Sequence, residues 1–331
     1  MRVLVTGGTG FLGRAVVDRL VARGDAVQVL ARGHLGTDLP AGVQLFRGDV
    51  GDLSSVADAA RGCELVIHTA ALAGISGPVR DFLRANVEGT RNVVEACRRH
   101  RILRLVHTST PSVVFNGMDM EGVTESVPLA SRFEAAYPAT KAAAERIVVE
   151  ANGPDLATVA LRPHLVWGPG DHHLVPRILA RARAGSLRLV GDGLKRVDST
   201  YIDNAADAHL LAADRLAPGS PVAGKAYFIS NGEPLPMRDL LDRILAAAGL
   251  PPVTRSVSPA AAVLAGRVLE TLHAVLGREG EPRMTRFLAR ELSTAHWFDI
   301  SAARRDLGYE PRVTIDEGMR RLEAWVRGGG A

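Results

Sequence analysis

The sequence predicts a doubly wound α/β fold, in which helices cover both faces of a parallel sheet. Three observations support this prediction: short β-branched runs alternate with longer amphipathic runs, a glycine-rich turn follows the first run, and 47% of the 331 residues are hydrophobic. Short apolar strands separated by helices favour parallel strands joined by crossover helices. The length allows one large domain or two domains that share an interface.

The first half of the chain supplies the elements of this sheet in order. Apolar runs predict strands at VLVTG, AVQVLA, VQLFRGD, ELVIHTAA and LRLVHTST, and helical periodicity predicts helices at FLGRAVVDRLVARG and NVVEACRRH. After about residue 168 the predicted elements become shorter, and glycine and proline residues separate them. We therefore predict a first domain over residues 1–168 and a smaller C-terminal substrate lobe over 169–331, with the segment at about 196–216 returning to the first domain.

Composition and charge argue against several classes of protein. The formal charge is only +4 and the arginines are spread along the chain, which is not the pattern of a nucleic-acid-binding surface. Cys63 and Cys97 form no CxxC motif, so we expect neither a disulfide nor a zinc site, and a reducing, cytoplasmic compartment. The first apolar run is too short for a signal peptide, and Arg267 and Glu270 interrupt the longest later run, so we expect no transmembrane segment.

The turn TGGTGFLG, residues 6–13, carries the most specific local motif. It satisfies both Gly7-x-x-Gly10-x-x-Gly13 and Gly8-x-Gly10-x-x-Gly13, between a predicted buried strand and an amphipathic helix. A pyrophosphate needs a tight turn, a close backbone approach and free N–H groups at the positive end of a helix. A flexible turn is the alternative for a lone motif, but this position favours a dinucleotide site in a Rossmann-like fold.

The end of the second predicted strand indicates which dinucleotide binds. A carboxylate about 20 residues after the loop binds the 2′-hydroxyl of NAD and repels a 2′-phosphate. Here the strand ends in Ala31 and Arg32, and a guanidinium can hold a phosphate with two hydrogen bonds. NADP(H) is therefore favoured over NAD, although Arg32 can also be an ordinary surface residue.

Two further strand ends hold candidate cofactor contacts. Asp49 and Val50 close the third predicted strand, where a carboxylate can face the adenine. The alternative is that Asp49 caps the helix that begins near Asp52. Ala70 and Ala71 end the fourth strand, where small side chains let the backbone lie against the cofactor.

The stretch YPATK contains a candidate catalytic pair. Tyr137 and Lys141 lie four residues apart, which places them on one face of a helix. The lysine can lower the pKa of the tyrosine hydroxyl from near 10 and bind the nicotinamide ribose, so that the tyrosine acts as a general acid. The alternative is an ordinary exposed helix start, for which Pro138 is suited.

A cluster of hydroxyl groups ends the strand that precedes this helix. The cluster consists of Ser109, Thr110 and Ser112. A hydroxyl at this point can donate to the developing alkoxide and hold a carbonyl beside the tyrosine. All these candidates fall at the carboxyl ends of predicted strands or on adjoining helices, where open α/β sheets bind ligands.

The motifs TGGTGFLG, HTAA, NVEGTRNVVEAC, HTSTPSVVF and YPATK together resemble the extended short-chain dehydrogenase/reductases. Within that family, LRPHLVWGPGD, TSTPS and RELSTAHWFDISAARRDLGY are similar to the 3β-hydroxysteroid dehydrogenase branch, and the likeness covers nearly the whole chain. The resemblance implies that Tyr137 is the general acid/base, that Lys141 is its partner and ribose ligand, and that Thr110 replaces the usual serine, with Ser109 and Ser112 as alternates. It also implies the cofactor contacts Gly7, Gly10, Phe11, Leu12, Gly13, Pro163 and Val166.

The second lobe holds the candidate substrate residues. Residues 258–296 are apolar-rich, with an apolar position at every fourth residue from Leu264 to Leu276. The favoured interpretation is a helix packed on its own lobe. The alternative is the wall of an apolar channel that rests on a membrane surface or on a partner enzyme. His164 is a candidate contact of the nicotinamide or of a substrate carboxylate. His172 and His173 lack ligand-like partners, so we expect no metal.

The resemblance implies NADP(H)-dependent reduction of a 2-alkyl-3-oxoalkanoic acid to the 3-hydroxy acid, as in long-chain olefin biosynthesis. It also implies a homodimer formed through the helices that carry NVVEACRRH and TKAAAERIVVEA, and association with other enzymes of the pathway. A 3β-hydroxysteroid or sterol-4-carboxylate 3-dehydrogenase is the first alternative. A sugar-nucleotide epimerase or dehydratase is disfavoured, because the second lobe is apolar where a nucleotide-sugar site should be polar. A redox sensor that binds NADP without catalysis is the alternative from another class, but such a sensor has no need of the Tyr-x-x-x-Lys pair.

Overall fold

The computed structural model of the chain describes residues 1–33, 39–74, 77–276 and 282–330. Its strands are β1 Arg2–Thr6, β2 Ala26–Ala31, β3 Gln44–Arg47, β4 Leu65–His68, β5 Arg104–Thr108, β6 Met120–Val123, β7 Ala157–Pro163, β8 Val166–Trp167, β9 Leu189–Val190, β10 Arg196–Val197, β11 Thr200–Tyr201, β12 Lys225–Ile229, β13 Leu235–Pro236, β14 Ser256–Val257 and β15 His296–Phe298. Its α-helices are α1 Phe11–Ala22, α2 Leu53–Ala60, α3 Val79–Phe82, α4 Gly89–His100, α5 Ala136–Glu150, α6 Leu174–Arg183, α7 Ile202–Arg215, α8 Met237–Ala247, α9 Pro259–Val275, α10 Arg286–Glu291, α11 Ser301–Leu307 and α12 Ile315–Trp325.

Seven parallel strands form the main sheet, in the order β12-β7-β5-β4-β1-β2-β3. The order reverses direction between β1 and β4, which is the point where doubly wound sheets open a crevice for ligands. The predicted Rossmann-like fold is confirmed, and so is every strand and helix predicted in the first half. Because both faces are covered by helices, β1, β4 and β5 are buried along almost their whole length.

The second half of the chain adds to this sheet and also builds a lobe beside it. Strand β12 pairs in parallel with β7, and helix α7 packs on the sheet against α1 and β5. A four-stranded sheet, β13-β10-β15-β6, takes its edge strand β6 from the first half of the chain. The division into domains at residue 168 remains a prediction, since the chain passes between sheet and lobe several times.

Helix α9 packs on its own lobe, against α10, as the favoured interpretation of residues 258–296 has it, but through another face. The apolar stripe at Leu264, Val268, Leu272 and Leu276 is 63%, 48%, 49% and 56% exposed. The packed face is made of small residues instead. A Cβ atom at Gly266 would lie 2.6 Å from the backbone of Thr285, so only glycine lets α9 and α10 approach this closely.

Candidate active site

The glycine loop between β1 and α1 forms a cradle that excludes side chains. Gly7 has φ +72°, and an added Cβ would lie 2.8 Å from the backbone of Ala70. A Cβ on Gly13 would lie 2.2 Å from the carbonyl oxygen of Gly7. Helix α1 has no side-chain cap at Gly10, so its first N–H groups are available to an anion. The residues present therefore fit the pyrophosphate of a dinucleotide.

The other predicted cofactor contacts lie at neighbouring strand ends. Ala70 and Ala71 follow β4 directly beside the glycine loop, and Arg32 follows β2 with an exposed side chain. Asp49 accepts a hydrogen bond from the N–H of Gly51 at 2.7 Å, whereas the cap of α2 is Asp52. The alternative role of Asp49 as that helix cap is therefore wrong, and its carboxylate stays at the end of the sheet beside buried Val50.

Tyr137 lies in the first turn of α5 and is half-buried. Burial raises the pKa of its hydroxyl to about 12, against an opposing hydrogen bond with Thr110 and with a further increase from the charge of Glu291. The expectation that Lys141 lowers this pKa is not met, because desolvation dominates and no effect of Lys141 accompanies it. The tyrosine is thus held as a proton donor throughout the neutral range.

Lys141 follows one turn later and is buried to 2% exposure, so YPATK is not an ordinary exposed helix start. Its Nζ donates to the carbonyl oxygen of Thr108 at 2.5 Å and lies 3.3 Å from Nε2 of His107. Burial lowers the pKa of Lys141 to about 8, and the carboxylate of Glu145 opposes this shift. A protonated lysine has no acceptor, so His107 meets it as a neutral acceptor at Nε2.

The three hydroxyls at the end of β5 are separated by their partners. Ser109 is buried and donates its Oγ proton to Glu145 at 2.5 Å, which turns it away from the tyrosine. Thr110 bonds with the Tyr137 hydroxyl, and its Oγ1 lies 3.1 Å from Oγ of Ser112. Of the three candidates, Thr110 therefore contacts the tyrosine directly, and Ser112 reaches it through Thr110.

Sequence reasoning missed a buried ion pair beneath this site. The guanidinium of Arg162 donates to both carboxylate oxygens of Glu145, at 2.5 and 3.0 Å, and both side chains are at most 5% exposed. Glu145 lies four residues after Lys141 on the same helix face, and this spacing was the available signal. The pair connects β7 to α5 and so fixes the register of the helix that carries Tyr137 and Lys141.

His164 follows β7 and joins the sheet to the lobe. Its Nε2 lies 2.7 Å from Nδ1 of His296 on β15, and its ring also packs edge-on against Phe298. Burial lowers the pKa of both histidines, that of His296 to about 4, so the pair is neutral. Pro163 ends β7 and half-buried Val166 begins β8 on either side of His164. Their predicted contacts with cofactor or substrate remain predictions.

A cavity of about 740 Å³ lies between α6, α8, α9 and α10, on the lobe side of His296. Its wall is mainly apolar and includes Leu165, Leu174, Met237, Leu240, Ile244 and Leu292. Small residues of α9, among them Ala262 and Ala265, complete the wall on the side of the exposed stripe. The alternative interpretation of residues 258–296 as the wall of an apolar channel thus fits this position, for the part of that segment that the structure describes. A cavity of this kind suits a hydrophobic ligand.

Known proteins resemble this chain over nearly its whole length. The model of the family described as 3-beta hydroxysteroid dehydrogenase/isomerase matches residues 4–258. The chain is 53% identical to a 2-alkyl-3-oxoalkanoate reductase of Stenotrophomonas maltophilia over 98% of this chain and 99% of that protein. It is 50% identical to the enzyme of the same name from Shewanella oneidensis, over 97% and 85% of the two chains.

More distant similarities extend to other substrates. The chain is 35% identical to the mouse sterol-4-alpha-carboxylate 3-dehydrogenase, decarboxylating, over 96% of this chain and 88% of that protein. Among solved structures, a Thermus thermophilus UDP-glucose 4-epimerase in complex with NAD is 29% identical, with a TM-score of 0.74 over 99% of both chains. The fold is therefore shared among dehydrogenases and epimerases that use a nicotinamide dinucleotide.

Proposed function

The chain belongs to the 3-beta hydroxysteroid dehydrogenase/isomerase family of oxidoreductases, and on that premise we propose that it reduces 2-alkyl-3-oxoalkanoic acids to 2-alkyl-3-hydroxyalkanoic acids with NADPH. The observation that carries the proposal is the identity of 50 to 53% with two enzymes of that name over nearly the whole chain. The apolar cavity supports a substrate with long alkyl chains, and one of its lining residues, Glu291, acts through its charge on Tyr137. Long-chain olefin biosynthesis is the process to which such a product belongs.

The side chains at the site have separate tasks in this reaction. A dinucleotide held at the glycine loop would supply the hydride for the ketone carbon. Tyr137 donates its proton to the ketone oxygen, and the hydroxyl of Thr110 stabilises the charge that develops there. Lys141 binds the nicotinamide ribose, and the Glu145–Arg162 pair fixes the helix on which both catalytic side chains lie. In the reverse direction the same groups oxidise an alcohol.

We propose NADP(H) rather than NAD because the second strand ends in Ala31 and Arg32 without a carboxylate. Arg32 is exposed at the end of β2, where a guanidinium can meet a 2′-phosphate. An Arg32→Ala variant should bind NADPH about tenfold or more weakly and NADH unchanged, and Ala31→Asp should favour NADH. Fluorescence titration with the two reduced cofactors measures both effects. Equal affinity of the unmodified protein for NADH would contradict this part of the proposal.

The last two points concern membrane spans and self-association. No helix among the described residues is long and apolar enough to cross a membrane. We propose a homodimer through α4 and α5, since the outer surfaces of these helices form a groove in which Ile147 and Ala151 lie among the charged side chains of Arg91, Glu95, Arg98 and Glu150. Light scattering after size-exclusion chromatography tests this, and Ala151→Arg should yield monomers if the groove is the interface. Association with other enzymes of the pathway remains a prediction.

The first test is an oxidation assay that follows the absorbance of reduced nicotinamide. NADP and a synthetic long-chain 2-alkyl-3-hydroxy acid are compared with NAD and with a 3β-hydroxysteroid in parallel reactions. The oxidative direction avoids the free 3-oxo acid, which loses carbon dioxide without an enzyme. Turnover of the fatty hydroxy acid with NADP is the expected result.

A sterol dehydrogenase is the second candidate function, supported by the 35% identity with the mouse sterol enzyme. Turnover of the steroid alone would establish that candidate instead. Tight NADP binding without turnover of either compound would favour the redox sensor.

A further inference from the structure

Glu291, the last residue of α10, places a carboxyl group in the wall of the apolar cavity. The side chain is half-buried beside Leu292 and His296. Throughout the described part of the chain, no hydrogen bond or ion pair involves its carboxyl oxygens, although its backbone oxygen accepts from His296 at 3.0 Å. Carboxyl groups in apolar surroundings are normally paired, because desolvation of an unpaired charge is costly. An unpaired one in a cavity wall therefore indicates a ligand.

The same carboxyl group acts on the catalytic tyrosine. Among the described ionisable side chains, Glu291 is the one whose charge shifts the pKa of Tyr137. The cavity wall also contains four arginines, but Glu291 is the group whose charge acts on this tyrosine. The arginines are Arg177, Arg181, Arg188 and Arg283. Arg181 and Arg188 donate to backbone carbonyl oxygens, whereas Glu291 acts on Tyr137, so we infer that an anionic group next to the reacting ketone meets Glu291.

The proposed substrate has such a group. In a 3-oxo acid the carboxyl carbon is two bonds away from the carbon that receives the hydride, so it stays beside Tyr137 whenever the ketone oxygen does. An ionised Glu291 would repel this carboxylate, whereas a protonated Glu291 can donate a short, charge-assisted hydrogen bond to it. Resting on the proposed function, we propose that Glu291 in its protonated form binds the substrate carboxylate and so selects 3-oxo and 3-hydroxy acids over neutral ketones and alcohols.

This assignment makes substrate binding depend on pH. Burial raises the pKa of Glu291 to about 7, so the protonated form is lost as the pH rises above neutrality. Of the other groups around the cavity, His164 and His296 remain neutral because burial lowers their pKa. Lys141, with a pKa near 8, and Tyr137, near 12, titrate at higher pH. Asp198, buried beneath β15, is ionised above about pH 6.

Equilibrium binding to the complex of enzyme and NADPH tests the proposal without turnover. A 2-alkyl-3-hydroxy acid cannot react with reduced cofactor, so its Kd can be measured from the fluorescence of bound NADPH between about pH 6 and 9. We expect the Kd of the acid to rise about tenfold per pH unit above pH 7, as the loss of one required proton demands, and that of its methyl ester to stay constant.

Glu291→Gln retains a donor that cannot ionise, so its Kd for the acid should be independent of pH. Glu121→Gln, a change at an exposed carboxylate, is the matched control and should keep the dependence of the unmodified enzyme. Unchanged affinity for NADPH shows that each variant is folded. A flat profile for the unmodified enzyme, or the same slope in Glu291→Gln, would overturn the proposal. If no fatty hydroxy acid binds at any pH while a steroid does, the proposed function is wrong instead.

Discussion

The hydroxyl of Ser109 donates to the carboxylate of Glu145 at 2.5 Å, although Ser109 stands next to the threonine that bonds with Tyr137. Both partners lie on α5, but Glu145 comes eight residues, about two turns, after Tyr137, so the two adjacent hydroxyls meet different parts of the helix. Ser109 therefore supports the buried ion pair, and Thr110 faces Tyr137. This separation leads to the first prediction.

Single substitutions should distinguish the three hydroxyls. Thr110→Ala should lower kcat by about 10²- to 10³-fold, because it removes a donor to the developing alkoxide, and Thr110→Ser should restore most of the activity. Ser109→Ala should keep the activity of the folded enzyme but cost about 1 to 3 kcal/mol of stability. Steady-state kinetics and urea unfolding measure the two effects. Loss of kcat in Ser109→Ala with unchanged stability would reverse the assignment.

Removal of the tyrosine hydroxyl should separate binding from chemistry. Tyr137→Phe should bind NADPH with unchanged affinity but lose turnover by about 10²-fold or more, since it removes the proposed proton donor. Tyr227→Phe is the matched control, because that buried hydroxyl bonds with Asp306 outside the site. The control should keep its kcat. Residual activity of Tyr137→Phe near that of the unmodified enzyme would contradict the mechanism.

The buried lysine should make the stability of the protein depend on pH. Burial lowers the pKa of Lys141 from 10.5 to about 8, so between these values the unfolded chain binds more protons than the folded chain. The free energy of unfolding should therefore rise with pH across this window, by up to about 3 kcal/mol from this one group. Lys141→Met should be inactive and should lack this rise.

Urea unfolding at about pH 7.5 and about pH 9.5 measures this effect. Lys225→Met, which changes a half-exposed lysine, should keep the slope of the unmodified protein. A constant difference in stability between the unmodified protein and Lys141→Met at both pH values would count against the prediction.

Two glycines of the phosphate loop should respond differently to alanine. A Cβ on Gly13 would meet the Gly7 carbonyl oxygen at 2.2 Å, so Gly13→Ala should lose both stability and cofactor binding. A Cβ on Gly10 would find only that oxygen, at 3.3 Å, so Gly10→Ala should fold but weaken NADPH binding by tenfold or more, because the methyl group lies where the pyrophosphate approaches. Thermal unfolding and NADPH titration test this. Gly153→Ala, at a glycine that precedes β7 and has open space around it, is the control.

The sequence alone determined five of the seven strands of the main sheet and the glycine loop that follows the first of them. Strand and helix periods are local properties, and the glycine spacing of TGGTGFLG requires one particular turn, so β1 to β5 and the loop were correctly predicted. Tyr137 and Lys141 were identifiable because one helical turn relates them. Glu145, one turn further along the same helix, was equally visible in the sequence, but its role as the partner of Arg162 was not.

Tertiary structure decided which groups face each other across the chain. Glu145 and Arg162 come from different elements and meet only when β7 packs beneath α5, and Glu291 reaches the tyrosine from a helix more than 150 residues away. The pKa of Tyr137 rises rather than falls because desolvation depends on everything packed around it. The stripe from Leu264 to Leu276 points outward because the opposite face of α9, at Gly266, packs closely against the start of α10. Periodicity defines a stripe on a helix, but only packing decides which stripe is buried.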